Sequence, residues 1–275
     1  INQIDFANDF VFICFLLGND FLPHIPSIDI KKEGLEYILD AYVETYIKTE
    51  QLLISFVGDK VNINDSSMFL ILDYLGKKET EYFKSVYPEY VRMNKRRNCF
   101  ATDEYSRELW NIENLRKMNI FDPIKLGQGG IDEWKFRYYS HYYRIGEYYE
   151  EFMEQIIINY VEGISWVAKY YFEACSDWRW QYMYSHSPFM SDIAKYISLN
   201  KYSLNNKTFS NVKNIPIMTQ LLSVLPPSCS NLLPKKYRDL VISEKSPIID
   251  LFPIHIKLDM IGKDQYWQCI PMIPT

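Results

Sequence analysis

Residues 5–17, DFANDFVFICFLL, form an apolar block that ends at Gly18 and runs straight into a proline-punctuated loop. The block is shorter than the roughly 20 apolar residues a membrane span needs. It also lacks the flanks of a signal peptide, so the chain must bury it in a core of its own. Its length favours a helix over a strand. Asp5 or Asn8 could cap its start, and Gly18 stands where a helix C-terminus favours glycine. Asn19 to Pro26 (NDFLPHIP) should then be a tight loop, because Pro23 and Pro26 fix φ and lack an amide donor.

The rest of the chain reads as mainly helical. Leu35, Ile38, Leu39, Tyr42, Val43, Tyr46 and Ile47 recur at helical spacing and mark one amphipathic helix, followed by a second short one. FVGDKVNI (56–63) suits a hairpin, and Asp65 and Ser66 are placed to cap a further helix from Met68. Residues 92–130, with basic RMNKRRN and the glycine-rich LGQGG, read as a flexible insertion. Helical patterning returns at Asp132 and continues to Ala174. From Asp192 to Ile197 a less regular section begins, and after Pro216 short helices alternate with proline-bounded loops.

Composition narrows the functional classes. The net charge of -5 argues against a free-standing nucleic-acid binder, which normally carries a basic excess. Five scattered cysteines without metal-ligand spacing fit reduced thiols. The 23 tyrosines exceed what a core needs, pointing either to ring-lined surfaces and buried polar networks or to codon bias in an A/T-rich genome. The chain opens on Ile1, which suggests a piece of a longer protein.

Two motifs could carry chemistry. In GNDFLP (18–23), Asp20 sits in a glycine-bounded loop at a helix end, where a carboxylate can reach a hard cation. Taken alone it is more readily a turn residue, and no second carboxylate cluster accompanies it. Asp5 and Asp9 are better placed for capping. In SDWRWQYMYSHSP (176–188), Trp178 and Trp180 flank Arg179, and such rings can stack on unpaired bases or fill a core. The basic clusters Lys31-Lys32, Arg92 with Lys95-Arg96-Arg97, and Lys235-Lys236 with Arg238 read as solvated surface. The four histidines show no metal-ligand spacing, and no Ser/His/Asp nucleophile signature stands out.

The order of the motifs is more telling than any one of them. GNDFLPHIP, KFRYY, VEGISWVAKYY, SDWRW, SPFMSDI, QLLSVLPPSCSNLLP, SPIIDLFP and a closing WQCIPMIP together resemble the XRN family of 5′→3′ exoribonucleases over most of the chain outside 50–130. The resemblance implies a mainly α fold. Residues 1–30 would be the last helix and loop of a PIN/FEN-like α/β nuclease domain, and 31–275 a multi-helix XRN-type helical domain. It also implies processive two-metal hydrolysis of single-stranded RNA with a 5′-monophosphate, using two Mg²⁺ ions held mostly by an N-terminal nuclease region of the same protein. Asp20 matches the family's last metal-ligand Asp, which makes it both metal-binding and catalytic. Trp180, or else Trp178, matches a Trp that stacks on RNA. The family pattern SWxWYYPYHYAP is altered here, with Gln181, Met183 and Ser185-His186-Ser187 as departures. Both Trp residues are kept, as are Tyr182, Tyr184 and Pro188. Residence is expected in the cytoplasm, with the nucleus as alternative, and no membrane is involved. The competing reading is a non-catalytic helical RNA-binding or interaction module derived from the same family.

Overall fold

The computed structural model describes residues 3–272 except 97, 116, 117, 119, 146–148, 211 and 213. Helix α1 (Gln3–Ile13) tightens into a 3-10 turn, Cys14–Leu17, and stops at Gly18, whose φ is +89°. Phe12, Ile13, Phe15 and Leu16 enter the core. The helix begins upstream of Asp5 and Asn8, so neither caps it. Asp9 has a different task from capping. Its buried carboxylate accepts hydrogen bonds from the Leu53 and Ile54 amides (2.9 and 2.8 Å) and from the Tyr42 hydroxyl (2.7 Å). One carboxylate thereby ties α1 to α2 (Gly34–Thr49) and to strand β1 (Ile54–Val57).

The amphipathic stretch after Lys31 is one helix, α2, with strand β1 where a second short helix was expected. Strands β1 and β2 (Lys60–Ile63) pair antiparallel, Ile54 opposite Ile63 and Val57 opposite Lys60. The cap of α3 (Asp65–Glu81) is Asn64, whose side chain accepts from the Ser67 amide, and not Asp65 or Ser66. Asp65 instead receives the Ser203 hydroxyl and the Leu204 amide (2.6 and 2.8 Å). After Glu81 the rod continues through a π turn, Tyr82–Val86, into α4 (Tyr87–Lys95). Pro88 explains the wide turn: it has no amide donor, and its ring would clash with a carbonyl one α-turn back.

Helix α5 (Glu104–Glu113) lies inside the stretch read as an insertion, and Arg97 of its basic run lies outside the described residues. Helices α6 (Ile131–Tyr143), α7 (Tyr149–Phe172) and α8 (Met190–Asn200) complete the body. The section from Asp192 is regular helix after all, because Ile193, Ala194 and Ile197 bury one face at helical spacing. Helix α3 packs on α2 and α8. Trp134, Tyr139, Tyr160, Phe83 and Phe189 are among the largest side chains sealed in this core. At its centre Glu79 accepts from Ser27 Oγ (3.1 Å), the Met190 amide (2.9 Å), the Ser191 amide (3.1 Å) and the Ser191 hydroxyl.

The tyrosine excess is largely structural. Tyr138, Tyr139 and Tyr160 are buried rings whose hydroxyls donate to Ser187 O, Asp192 Oδ2 and Pro23 O (2.8, 2.7 and 3.0 Å). Each brings apolar area and a hydrogen-bonding tip to one place. Beyond residue 214 come α9 (Ile217–Val224), α10 (Lys235–Ile242) and a short antiparallel pair, β3 (Lys257–Asp259) with β4 (Ile270–Met272). Among the described residues, no helix is long and apolar enough to cross a membrane.

Candidate RNA-facing site

The loop carrying Asp20 is rigidly built. A Cβ on Gly18 would lie 2.7 Å from the His24 amide nitrogen, so the chain reverses here only through glycine. Asn19 closes the turn. Its backbone amide donates to Leu22 O (2.9 Å), while its side-chain oxygen accepts from the Phe21 and Leu22 amides (2.9 and 3.0 Å). Leu22 and Ile25 anchor in the core. The Tyr160 and Ser187 hydroxyls donate to Pro23 O and His24 O (3.0 and 2.8 Å), which fixes the far side.

Since Asn19 does the local hydrogen bonding, Asp20 is not needed as a turn residue. Its side chain is exposed at the loop tip, with no hydrogen bond or ion pair among the described residues. Also among the described residues, no group of three His, Cys, Asp or Glu is placed to hold a metal ion. Asp20 is thus an exposed carboxylate with no metal-holding cluster beside it among the described residues.

The neighbouring Phe21 opens onto an aromatic wall. It meets Trp166 and Tyr170 edge-on, each at 4.8 Å between centroids. Tyr170, Trp166 and Trp180 form a three-ring stack, with spacings of 5.4 and 5.1 Å and interplanar angles of 12° and 23°. Trp166 is the buried middle ring, and its indole N–H donates to Asp177 O (3.0 Å). Trp180 is half-buried and covers Gly163, where an added Cβ would lie 2.8 Å from its ring and 2.5 Å from Leu22. Trp178 is exposed, with its amide donating to Val212 O (3.0 Å).

The two Trp residues named from sequence therefore differ: Trp180 is an inner support with one stacked face, and Trp178 is an exposed ring with no stacked neighbour among the described residues. Asp177, which the motif reading passed over, organises their turn by accepting from the Arg179 amide (2.9 Å) and the Ser210 amide (3.2 Å). Trp166 and Tyr170 were also missed. Their i, i+4 spacing on α7 is the signal that sets both rings on one helix face.

The next residues are packed. Tyr182 and Tyr143 both donate to His186 O (2.7 and 2.5 Å), and the His186 ring stacks on Tyr142 at 3.5 Å. His186 Nε2 donates to Asp259 Oδ2 (3.2 Å), while its Nδ1 accepts from Ser185 Oγ (2.9 Å). Burial lowers the His186 pKa, so the ring is neutral and serves as a clip to β3. The Lys-Arg cluster near 235 is also partly structural, since Arg238 donates to Leu233 O and Asn231 O (2.9 and 3.0 Å).

Comparison with known proteins fits this architecture. Residues 2–110 and 98–275 match the Xrn1 helical domain. The chain is 27% identical over 308 residues to a 5′-3′ exoribonuclease 2 homolog of Drosophila melanogaster, covering 97% of this chain and 33% of that protein. It is 28% identical over 296 residues to 5′-3′ exoribonuclease 1 of Homo sapiens, covering 97% of this chain and 17% of the relative. A third relative, 5′-3′ exoribonuclease 2 of Gallus gallus, is 24% identical over 332 residues, with 98% and 34% covered. The chain thus spans about a third or less of the relatives it matches. With matches across nearly its whole length and a mainly α architecture, the chain belongs to the Xrn1 helical domain family.

Proposed function

We propose that this chain is the helical wall of the RNA channel in a 5′→3′ exoribonuclease acting on 5′-monophosphorylated RNA. In this reading Asp20 supplies one metal-binding carboxylate to a two-Mg²⁺ site whose other ligands come from an N-terminal nuclease region of the same protein. The observation that carries it is the unpartnered Asp20 carboxylate, held at the tip of a rigid loop one residue from Phe21 and its ring stack. Magnesium, when bound, would supply Lewis-acid stabilisation of the scissile phosphate. This chain's own part is to hold one carboxylate oxygen in place and to offer ring faces beside it. Base stacking on such rings is worth about 1–3 kcal/mol per base and ignores base identity, as processive decay requires.

Helix α1 supports the inter-region contact. Ile4, Phe6, Phe10 and Val11 stay exposed on it, an apolar face that the nuclease region would cover. The five cysteines are free thiols, in keeping with a reducing compartment, the cytoplasm or else the nucleus.

The test is Asp20→Ala in the full-length enzyme with 5′-monophosphorylated RNA. Turnover should fall by at least about a hundredfold, with unchanged thermal melting because the Asp20 side chain has no hydrogen bond or ion pair among the described residues. Near-normal turnover would overturn the assignment. Trp180→Ala should shorten processive runs more than it slows the first cut. A second reading, an RNA-binding module without catalysis, draws on there being no group of three His, Cys, Asp or Glu placed to hold a metal ion among the described residues. It predicts that RNA binding survives while Asp20→Ala changes nothing.

A further inference from the structure

Away from the Asp20 tip, the same loop helps wall a cavity of about 330 Å³ between Pro23–Lys32, the first turn of α4 and the turn at Ile261–Gln268. Two donors face it without using up their hydrogen-bonding capacity. Lys263 is half-buried, and its ammonium has no hydrogen bond or ion pair among the described residues. Tyr87 likewise has a hydroxyl with no hydrogen-bond partner among the described residues, and it nests against Gly262, where an added Cβ would come within 3.1 Å. His24 donates through Nδ1 to Ile25 O (3.0 Å) and burial lowers its pKa, so its Nε2 is an acceptor and offers nothing to an anion.

The carboxylates around the cavity are already engaged. Asp29 binds Lys32 and the Lys31 amide, and Asp122 accepts from the Ile124 and Lys125 amides (2.8 and 3.1 Å). Asp264 accepts from the Tyr90 hydroxyl (3.0 Å). None of the three forms an ion pair with Lys263. Burial lowers the Lys263 pKa and Lys32 adds to the effect, while Asp259 and Asp29 oppose it without forming an ion pair with Lys263 among the described residues, so an anion in the cavity would give the ammonium a direct partner. At the rim Trp267 is 68% exposed, and Lys31 lies 4.3 Å from its ring centroid.

We propose that this cavity binds a free nucleoside 5′-monophosphate, with its phosphate on Lys263 and Tyr87 and its base against Trp267. Two features select that class of ligand. A phosphate monoester satisfies an ammonium and a phenol at once, since its oxygens all accept. The cavity is far larger than one phosphate needs and falls within the range of small-ligand sites, and its exposed indole offers a stacking face to a base. The site does not depend on the nuclease reading, because none of these groups involves Asp20 or a metal.

Calorimetry on the 275-residue chain with adenosine 5′-monophosphate, adenosine and inorganic phosphate tests it. The nucleotide should bind, phosphate alone should bind at least about tenfold more weakly, and adenosine should give no heat. Lys263→Met should weaken the nucleotide and phosphate alike by at least about tenfold. Trp267→Ala, a change at an exposed ring, should weaken the nucleotide and leave phosphate unaltered. No nucleotide binding at about 10 mM, a weak threshold for a specific site, would overturn the proposal. So would Lys263→Met binding as well as the parent, or phosphate binding as tightly as the nucleotide. Should Lys263→Met fail to fold, the Trp267→Ala comparison decides alone.

Discussion

The helical body up to residue 209 and the arm beyond residue 214 are held together by different physics. The body's core is continuous from α1 through α8, and it buries charged groups as well as apolar ones, among them Asp9 and Glu79. In the arm, Leu233, Val241 and Asp259 are the buried residues among those described, while Ile217, Val224, Leu251 and Ile254 stay exposed. Its shape comes from local turns: Pro226, Pro227 and Pro234 set the entries to a 3-10 turn, Pro227–Leu232, and to α10. Side-chain burial defines the body, whereas backbone stiffness defines the arm, so equal substitutions should have unequal effects.

The largest effect is expected at Glu79. Its two oxygens receive four donors inside the body, and Lys135, bonded to Ser191 Oγ and Asp192 Oδ1 at 2.7 Å each, supplies the nearby positive charge. Burial pushes this carboxyl up, with Lys135 and Ser191 pulling it down. Glu79→Ala leaves buried amides and hydroxyls without an acceptor, at a cost of about 3–5 kcal/mol. Urea unfolding should read that loss. A change under about 1 kcal/mol would mean that the centre of the body is no tighter than the arm.

The intermediate test is the joint between the two regions, where His186 meets Asp259. Burial holds His186 below its ordinary value of 6.5. Burial alone would raise Asp259, but hydrogen bonds from His186 and the Ile261 amide more than offset it, so Asp259 lies below 3.8. In both cases the unfolded chain takes up the proton first as pH falls. The stability from neutral His186 is therefore complete above about 6.5 and is lost below it; that from Asp259 is lost below about 3.8. His24, also lowered by burial, adds in the same direction. Asp9 and Glu79 are raised and act oppositely at more acid pH. His186→Phe keeps a ring on Tyr142 but cannot titrate, so the fall in stability between pH 7 and 5.5 should become shallower. An unchanged slope would show that the joint contributes nothing.

Much of the body was legible in the sequence, because apolar spacing alone marks α2, α6 and α7, and Gly18 marks the end of the first helical segment. What local patterns do not encode is contact between distant segments. Asp9 looks like a capping residue until Leu53 and Ile54 are folded beside it, and Asp65 until Leu204 arrives. Helix α8 was misread although Ile193, Ala194 and Ile197 of SDIAKYI sit at helical spacing and are all buried. At the candidate site the sequence singled out Asp20, Trp178 and Trp180. It could not separate an exposed indole from one stacked on Trp166, since that difference arises where α7 crosses the 177–180 turn.

The smallest expected effect is in the arm. Ile254 is 84% exposed, so Ile254→Ser removes almost no buried area from this chain. The change in stability should stay within about 0.5 kcal/mol, whereas an isoleucine sealed in the body, such as Ile13, should cost several times that when cut to alanine. The comparison sharpens in the full-length protein. If Ile254→Ser destabilises that protein by more than about 1 kcal/mol while leaving this chain unaffected, the arm's apolar side chains are covered by other segments. A loss of that size in this chain alone would instead mean that the arm is held by side-chain packing, and the contrast with the body would fail.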